Sequence, residues 1–461
     1  MAAASDELSA ENAPGGKLRS RWFNGIKNAA IFRRKKDAAL SAHDKTQDYL
    51  VGVRGFLVIQ SFLWVFLQTF VPATVKGSAN TTGPAYQLAL RKSLSVFFWN
   101  DSLIYSSIIL LSARTTCLPF LLNPEKTVVA SSAFRRGLRL WFPTAAALVI
   151  CYIAFSKNLG TQYLFDFANA TSNYSMHADI YTMPNSLANF NSIFNIFWIP
   201  YNFSYQAGNW AFPTQTLWIV TALFQQSYTV FTAMLIAPYT RASWRVKGCI
   251  IFILTAFWVY SWAWFSITGL LLADAVVNMD FRTRSKIPVK IGPVSIPKWT
   301  LYILLMVAGF AMQFIWATAR PDLANAELQY HTGLYSTGGL YTSNDVNAPQ
   351  LRSDNYLVIL GFFLLLDTYE WIQRLFNNAV FSYLGRRSFS YFLIQSIIVY
   401  TLGIKLFMHM TTNSSYNTAN ARGASFVACL VTTIVVAEAF YRLVDRPSQA
   451  FARMVFDWIR K

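Results

Sequence analysis

Charge is scarce in this sequence, and acidic charge scarcer still. Asp, Glu, Lys and Arg make up 13% of the 461 residues while hydrophobic residues make up 54%. Soluble domains carry roughly 25% charged residues, so too little polar surface is present to cover a water-soluble globule. Cysteine is nearly absent. Cys117, Cys151, Cys249 and Cys429 lie in or beside apolar segments without paired spacing, which argues against a disulfide framework or a thiolate metal site and leaves buried thiols. Histidine is equally rare: His43, His177, His331 and His409 all fall outside the middle of any apolar run. Residues 1–48 are polar throughout, so no cleavable signal peptide is expected. No internal repeat is visible, which removes the inverted symmetry common among secondary transporters.

What the sequence does have is long apolar runs, each able to cross about 30 Å of hydrocarbon. They predict an all-α, polytopic transmembrane bundle of roughly ten spans, near 55–73, 94–113, 138–156, 216–237, 248–262, 263–277, 299–317, 355–372, 388–407 and 425–443. The fifth and sixth are short enough to form one re-entrant pair. The domain expectation is a basic, partly disordered cytoplasmic lead over 1–48 with an amphipathic segment "KLRSRWFNGIKNAAIFRRKK", a membrane domain over 49–450, and a basic tail over 451–461. The net charge of +18 fits the positive-inside rule and anionic lipid better than nucleic acid, for which no module is present. With the N-terminus inside, the loops Arg114–Arg139, Arg241–Lys247 and Arg282–Lys298 fall on the cytoplasmic side. Five sequons, at Asn80, Asn169, Asn173, Asn202 and Asn413, then fall outside as candidate glycosylation sites. Lys76, Arg91 and Lys92 are exceptions to the charge rule. Two outer loops, 157–215 and 318–354, are rich in Asn, Tyr, Ser and Trp, a composition suited to sugars and equally to a plain cap. The chain is expected in the secretory pathway or plasma membrane, partnered by the bilayer.

Six ionisable residues fall in or near the spans: Asp101, Asp274, Asp367, Glu370, Lys405 and Glu438. Such groups face a cavity or a partner, because each costs about 2.5–3.5 kcal/mol in hydrocarbon. Helix pairing or snorkelling accounts for those near span ends. Asp101 is different, because "FFWNDSLIY" sets Asn100, Asp101 and Ser102 together inside a span and predicts a hydrated cavity or a hydrogen-bonded helix contact. In "SAFRRGLRLWFP", Arg135, Arg136 and Arg139 share a helical face at the mouth of the third span. Arginine forks pair two-pronged with phosphate oxygens; a positive-inside anchor explains the same residues.

In order along the chain, Val53-Arg54-Gly55, "FRRGLRLWFP", "TLWIVTALFQQSYTVF", "ITGLLLADA", "FSYLGRRSFSYFLIQ" and "LVDRPS" resemble the motifs of the acyltransferase-3 group of integral membrane O-acyltransferases, in a fungal-like version, over about residues 49–450. The resemblance implies that an acyl group, usually acetyl, passes from cytoplasmic acyl-CoA to a hydroxyl across the membrane, often of a carbohydrate. Arg54, Arg135, Arg136 and Arg139 would hold the CoA phosphates. Asn100, Ser102, Trp218, Gln225 and Gln395 would line the substrate cavity.

The likeness breaks at the proton-handling groups. The family's histidine, eleven residues past the motif arginine, is Val65 here. The glutamate expected after Trp218 is Leu223, the histidine ending the Ser-Phe-Ser helix is Gln395, and Asp101-Ser102-Leu103 stands for Ser-Gly-Phe. Glutamine hydrogen-bonds as histidine does but is no base near pH 7. Two expectations follow: an acyltransferase with Asp101 as a rearranged base, or a lapsed member that binds or passes a lipid, glycan or acyl ligand or partners a glycan-handling membrane enzyme. A secondary transporter unrelated to acyl chemistry is a third.

Overall fold

The computed structural model describes residues 47–78, 80–155, 161–173, 180–199, 205–291, 293–321, 349, 351–412, 414 and 416–460. The amphipathic lead segment, His43, His177, His331, Asn202, Asn413 and most of 318–354 lie outside the described residues.

The principal helices are α1 (Tyr49–Phe70), α2 (Asp101–Leu122), α3 (Lys126–Ala154), α4 (Ser186–Trp198), α5 (Trp218–Ile236), α6 (Ala242–Trp258), α7 (Ala263–Asn278), α8 (Lys298–Phe314), α9 (Ser353–Thr368), α10 (Ser388–Ile398), α11 (Thr418–Phe440) and α12 (Arg446–Arg460). Among the described residues seven helices are long and apolar enough to cross a membrane. An eighth results if α9 and Glu370–Phe376, bent 107° to each other, count as one span. The two short segments of the ten-span expectation are α6 and α7. The all-α expectation holds but for one antiparallel hairpin, Val289–Ile291 with Val294–Ile296. Large apolar side chains stay exposed along α6 (Ile251, Leu254, Trp258), α8 (Leu301, Leu304, Val307) and α11 (Val427, Val431, Val435). Such belts suit hydrocarbon rather than water.

α1 lies at the centre of the core and packs against α2, α10 and the helix Ala379–Arg386. Two of the sequence motifs meet there. A Cβ on Gly55 would stand 2.0 Å from the Phe381 carbonyl oxygen, and one on Gly385 would stand 1.8 Å from that of Val51. The glycines of Val-Arg-Gly and Leu-Gly-Arg therefore let two backbones touch reciprocally, as small residues do in membrane helix contacts. Gly385→Ala is expected to force the pair apart and to lower the unfolding midpoint in detergent, whereas Gly423→Ala, whose added Cβ meets nothing within 4 Å, is a control expected to hold or raise it.

Three sequence expectations are corrected by packing. Arg114, assigned to a basic loop, is completely buried on α2, and its Nη2 donates to Asp367 Oδ1 at 2.6 Å. Arg245, assigned to the next loop, pairs with Asp274 at 3.0 Å with both side chains 7% exposed. A loop arginine read from charge alone is in each case the partner that makes an acidic residue tolerable in the bundle. The 157–215 segment is not a plain polar cap, because α4 packs against α3 and α5 and exposes Leu187, Phe190 and Trp198. The basic tail continues the last helix as α12, with Phe451 and Phe456 edging onto Phe142 and Phe134 of α3.

Candidate functional site

α1, α2, α3, α5 and α10 enclose a cavity of about 120 Å³. α1 contributes Arg54, Leu57, Val58 and Ser61, one helical face at i, i+3, i+4 and i+7. Three arginines ring the mouth: Arg54, Arg136 and the exposed Arg139. Arg54 donates to the Thr115 hydroxyl. Arg136 donates through Nε to Ser227 Oγ at 2.8 Å and through Nη2 to Ser112 Oγ at 2.7 Å. Among the described residues no carboxylate forms an ion pair with any of the three. Neutral hydroxyls aim the guanidinium groups without cancelling their charge, and each retains further donors. An anion with several oxygens is the ligand such a mouth fits. Arg135 is not part of it: its Nε donates to Ser131 O in its own helix at 3.1 Å, and the group faces Arg453 and Asp457 of α12.

The floor is neutral. Gln395 Nε2 donates to Ser61 Oγ at 2.5 Å, and Gln395 Oε1 is buried without a hydrogen-bond partner. Ser61 keeps its own proton to give. Behind the floor the Tyr105 ring meets Trp64, Trp218 and Phe392 at 5.7, 5.6 and 6.3 Å, and Trp218 meets Trp262 at 5.6 Å. The Tyr105 hydroxyl lies beside Ser61 and Thr216. Val65 is fully buried. It lies on the Arg54 face, about 16 Å along the axis at 1.5 Å per residue, one turn past Ser61 where the cavity has ended.

The other candidates lie elsewhere. Trp218 is in the aromatic layer. Gln225 is not at the cavity, since its Nε2 donates to Ile199 O at 3.2 Å beside α4. Asn100 precedes α2 without a side-chain capping bond and starts a buried amide chain, its Nδ2 donating to Gln313 Oε1 at 3.0 Å and Gln313 Nε2 to Asn355 Oδ1 at 2.8 Å. Ser102 donates to Asn100 Oδ1 at 3.0 Å. Asp101 is the first residue of α2 and lies inside the apolar stretch Leu94–Leu122, nearer its Leu94 end. It is half-buried, away from Arg54, Arg136 and Arg139, with Gly77 against it and the Lys76, Arg352 and Asp354 charges around it. Burial pulls the Lys76 amine down to about 8 from its usual 10.5. Below pH 8 that lysine is charged in both states and the folded one bears the desolvation cost. Between pH 8 and 10.5 the unfolded chain holds more protons, so stability rises with pH. Lys76→Met is expected to flatten that rise in unfolding midpoints measured from pH 7 to 10.

The remaining motifs are structural joints. Arg387 binds Glu438, which also accepts from Tyr383 at 2.8 Å. Asp445 of Val-Asp-Arg-Pro-Ser accepts from Ser390 at 3.2 Å and Gln449 at 2.9 Å. Of the sequons, Asn169 is exposed and Asn80 is partly exposed, its Oδ1 accepting the Thr82 hydroxyl at 3.1 Å. Asn173 is a correction. It is fully buried, and its Nδ2 donates to Gln68 O and Thr69 O at 3.1 and 2.7 Å, so the amide that a glycan would modify is already holding the end of α1. Asn173→Gln is expected to leave gel mobility unchanged.

No family model matches the chain. The O-acetyltransferase PaAT-1 of Phomopsis amygdali is 22% identical over 352 residues, covering 72% of this chain and 68% of that one. No solved structure matches. The likeness supports an acyltransferase in general, and the acyltransferase-3 resemblance goes beyond it.

Serine at position 61 is the site residue that sequence reading missed. It falls on the Arg54 face by simple helical counting, but nine of the eleven residues over 56–66 are apolar and nothing local marks a lone serine as a floor. Tyr105 was missed for a related reason, since its role depends on three other helices.

Proposed function

We propose that the protein is a multi-pass membrane O-acyltransferase of the acyltransferase-3 type that takes an acyl group from acyl-CoA and gives it to a hydroxyl. The observation that carries this is the convergence of Arg54, Arg136 and Arg139 on one cavity with no acidic partner among the described residues. Coenzyme A fits by charge, because its phosphates match the guanidinium forks. It fits by size only in part: the cavity takes the thin thioester arm, and the nucleotide stays outside at Arg139. At the floor the Ser61 hydroxyl would donate to the thioester carbonyl, favouring the oxyanion that forms when the acceptor oxygen attacks. The C–O bond forms, the C–S bond breaks, and the acceptor's hydroxyl proton passes to the base and from it to the departing CoA thiolate. Asp101 is the proposed base for an acceptor, carbohydrate or lipid, entering from its end, with Tyr105 between it and Ser61. In this scheme the arginine end is cytoplasmic and the Asp101 end faces the secretory lumen or cell exterior.

The test is release of free CoA thiol from acetyl-CoA by detergent-purified protein. Thiol release that Arg136→Gln abolishes supports the proposal, and Asp101→Asn with unchanged turnover removes Asp101 as base.

A second function is favoured by Val65 and the neutral floor, since none of the described residues lining the cavity is a base near pH 7. The protein would then be a lapsed enzyme that binds an acyl, lipid or glycan ligand or partners a glycan-handling membrane enzyme. Saturable acyl-CoA binding with no thiol release over hours supports this one and sinks the first.

A further inference from the structure

A second, larger cavity lies on the opposite side of α7 from the arginine mouth. It measures about 730 Å³ and is walled by α6, α7 and α9, with Ile250, Leu254, Leu271, Tyr356 and Leu360 among its apolar lining. From Ser353 to Leu364, the α9 stretch that lines it, the groove runs about 16 Å at 1.5 Å per residue. Half of a hydrocarbon core about 30 Å thick is the same length, so the groove matches in length the acyl chain of a lipid from one leaflet.

Its two ends differ. At one, Ser353 and Tyr356 are neutral, and the Tyr356 hydroxyl is 2.9 Å from that of Thr268. At the other, Arg284 lines the groove. It is exposed, and among the described residues no carboxylate pairs with it; Lys298 Nζ donates to its carbonyl at 2.7 Å. Lys286 and Lys290 are exposed on the same short connection. The neighbouring acids are engaged, Asp274 by Arg245 and Glu370 by Arg282, leaving Asp280 against four cations. Arg282 also donates to Gln373 at 2.9 Å, whose helix abuts α1 at Gly52, so this basic end is the end that carries Arg54.

We infer that the α6–α7–α9 groove binds an anionic glycerophospholipid, one acyl chain between the helices and the phosphate-bearing headgroup on Arg284. The length of the groove selects a lipid chain. The unpaired Arg284 with Lys286, Lys290 and Lys298 selects negative headgroup charge.

The experiment reconstitutes the full chain in phosphatidylcholine nanodiscs containing a trace of phosphatidylserine with a diazirine in its acyl chain. Photolysis is expected to label peptides from 242–284 and 353–364. Unlabelled phosphatidylserine should compete about fivefold better than phosphatidylcholine, the size expected for one basic residue against an anionic headgroup. Arg284→Gln should lower that preference, by up to the same factor of about five, while labelling of the same peptides persists. Labels spread evenly over α8 and α11, equal competition by the two lipids, a preference unchanged in Arg284→Gln, or photo-crosslinked dimers of the chain would each overturn the proposal. The readout is independent of acyl-CoA turnover.

Discussion

Arg136→Gln is expected to weaken acyl-CoA binding about 10- to 100-fold, measured by titration of purified protein with a non-hydrolysable acyl-CoA thioether. A hydrogen bond to a charged group contributes about 1.5–3 kcal/mol, and each 1.4 kcal/mol is a factor of ten. Arg136→Lys keeps the charge but loses the fork, and it should recover only part of the affinity, because a point charge cannot hold Ser112, Ser227 and a phosphate oxygen together. Stability should move the other way. Arg136 pairs with no described carboxylate, so removing its charge from the bundle should leave the unfolding midpoint unchanged or higher. Arg135→Gln, a turn-neighbour that faces α12, should bind acyl-CoA as the wild type does. Equal losses at 135 and 136 would mean that a diffuse positive field, rather than the cavity mouth, holds the ligand.

Arg114→Met and Asp367→Leu are each expected to cost about 3–5 kcal/mol of stability, while the double variant costs much less. Both side chains are fully buried. Asp367 Oδ1 also accepts the Tyr49 hydroxyl at 2.7 Å, and Arg114 Nη2 reaches Gln47 Oε1 at 2.8 Å. Removing one charge strands the other where no water can reach it; removing both strands none. Unfolding midpoints of the two singles and the double in one detergent read this directly, as a double-mutant cycle. Thr115, which holds Arg54, follows Arg114 in the chain but is untouched by the change. The double variant should therefore keep the acyl-CoA affinity proposed for the cavity, separating this fold-holding pair from the arginines of the cavity mouth.

Much of the site was legible one helix at a time. Helical counting puts Arg54 and Ser61 on one face, and it puts Arg136 and Arg139 together as well. The motif glycines at 55 and 385 were visible as motif letters, but their contact was not, because they are over 300 residues apart. Counting could not choose between Arg135 and Arg136, which are adjacent, and the choice was made by α12 covering one side of α3. It could not move Arg114 out of a loop either, since a lone arginine near a span end looks like an anchor until Asp367 is brought to it.

The sequence by itself determined the helical bundle, because too few charges cannot cover a globule and long apolar runs must satisfy their backbones internally. It also determined that Val65, Leu223 and Gln395 are not bases near pH 7, because that is a matter of residue identity. Tertiary structure alone decided which arginines make the mouth, that the cavity stops at Ser61 a turn short of Val65, and that Asp101 stands at the far end. Those are distances between helices, set by which side chains interdigitate, and no local pattern encodes them.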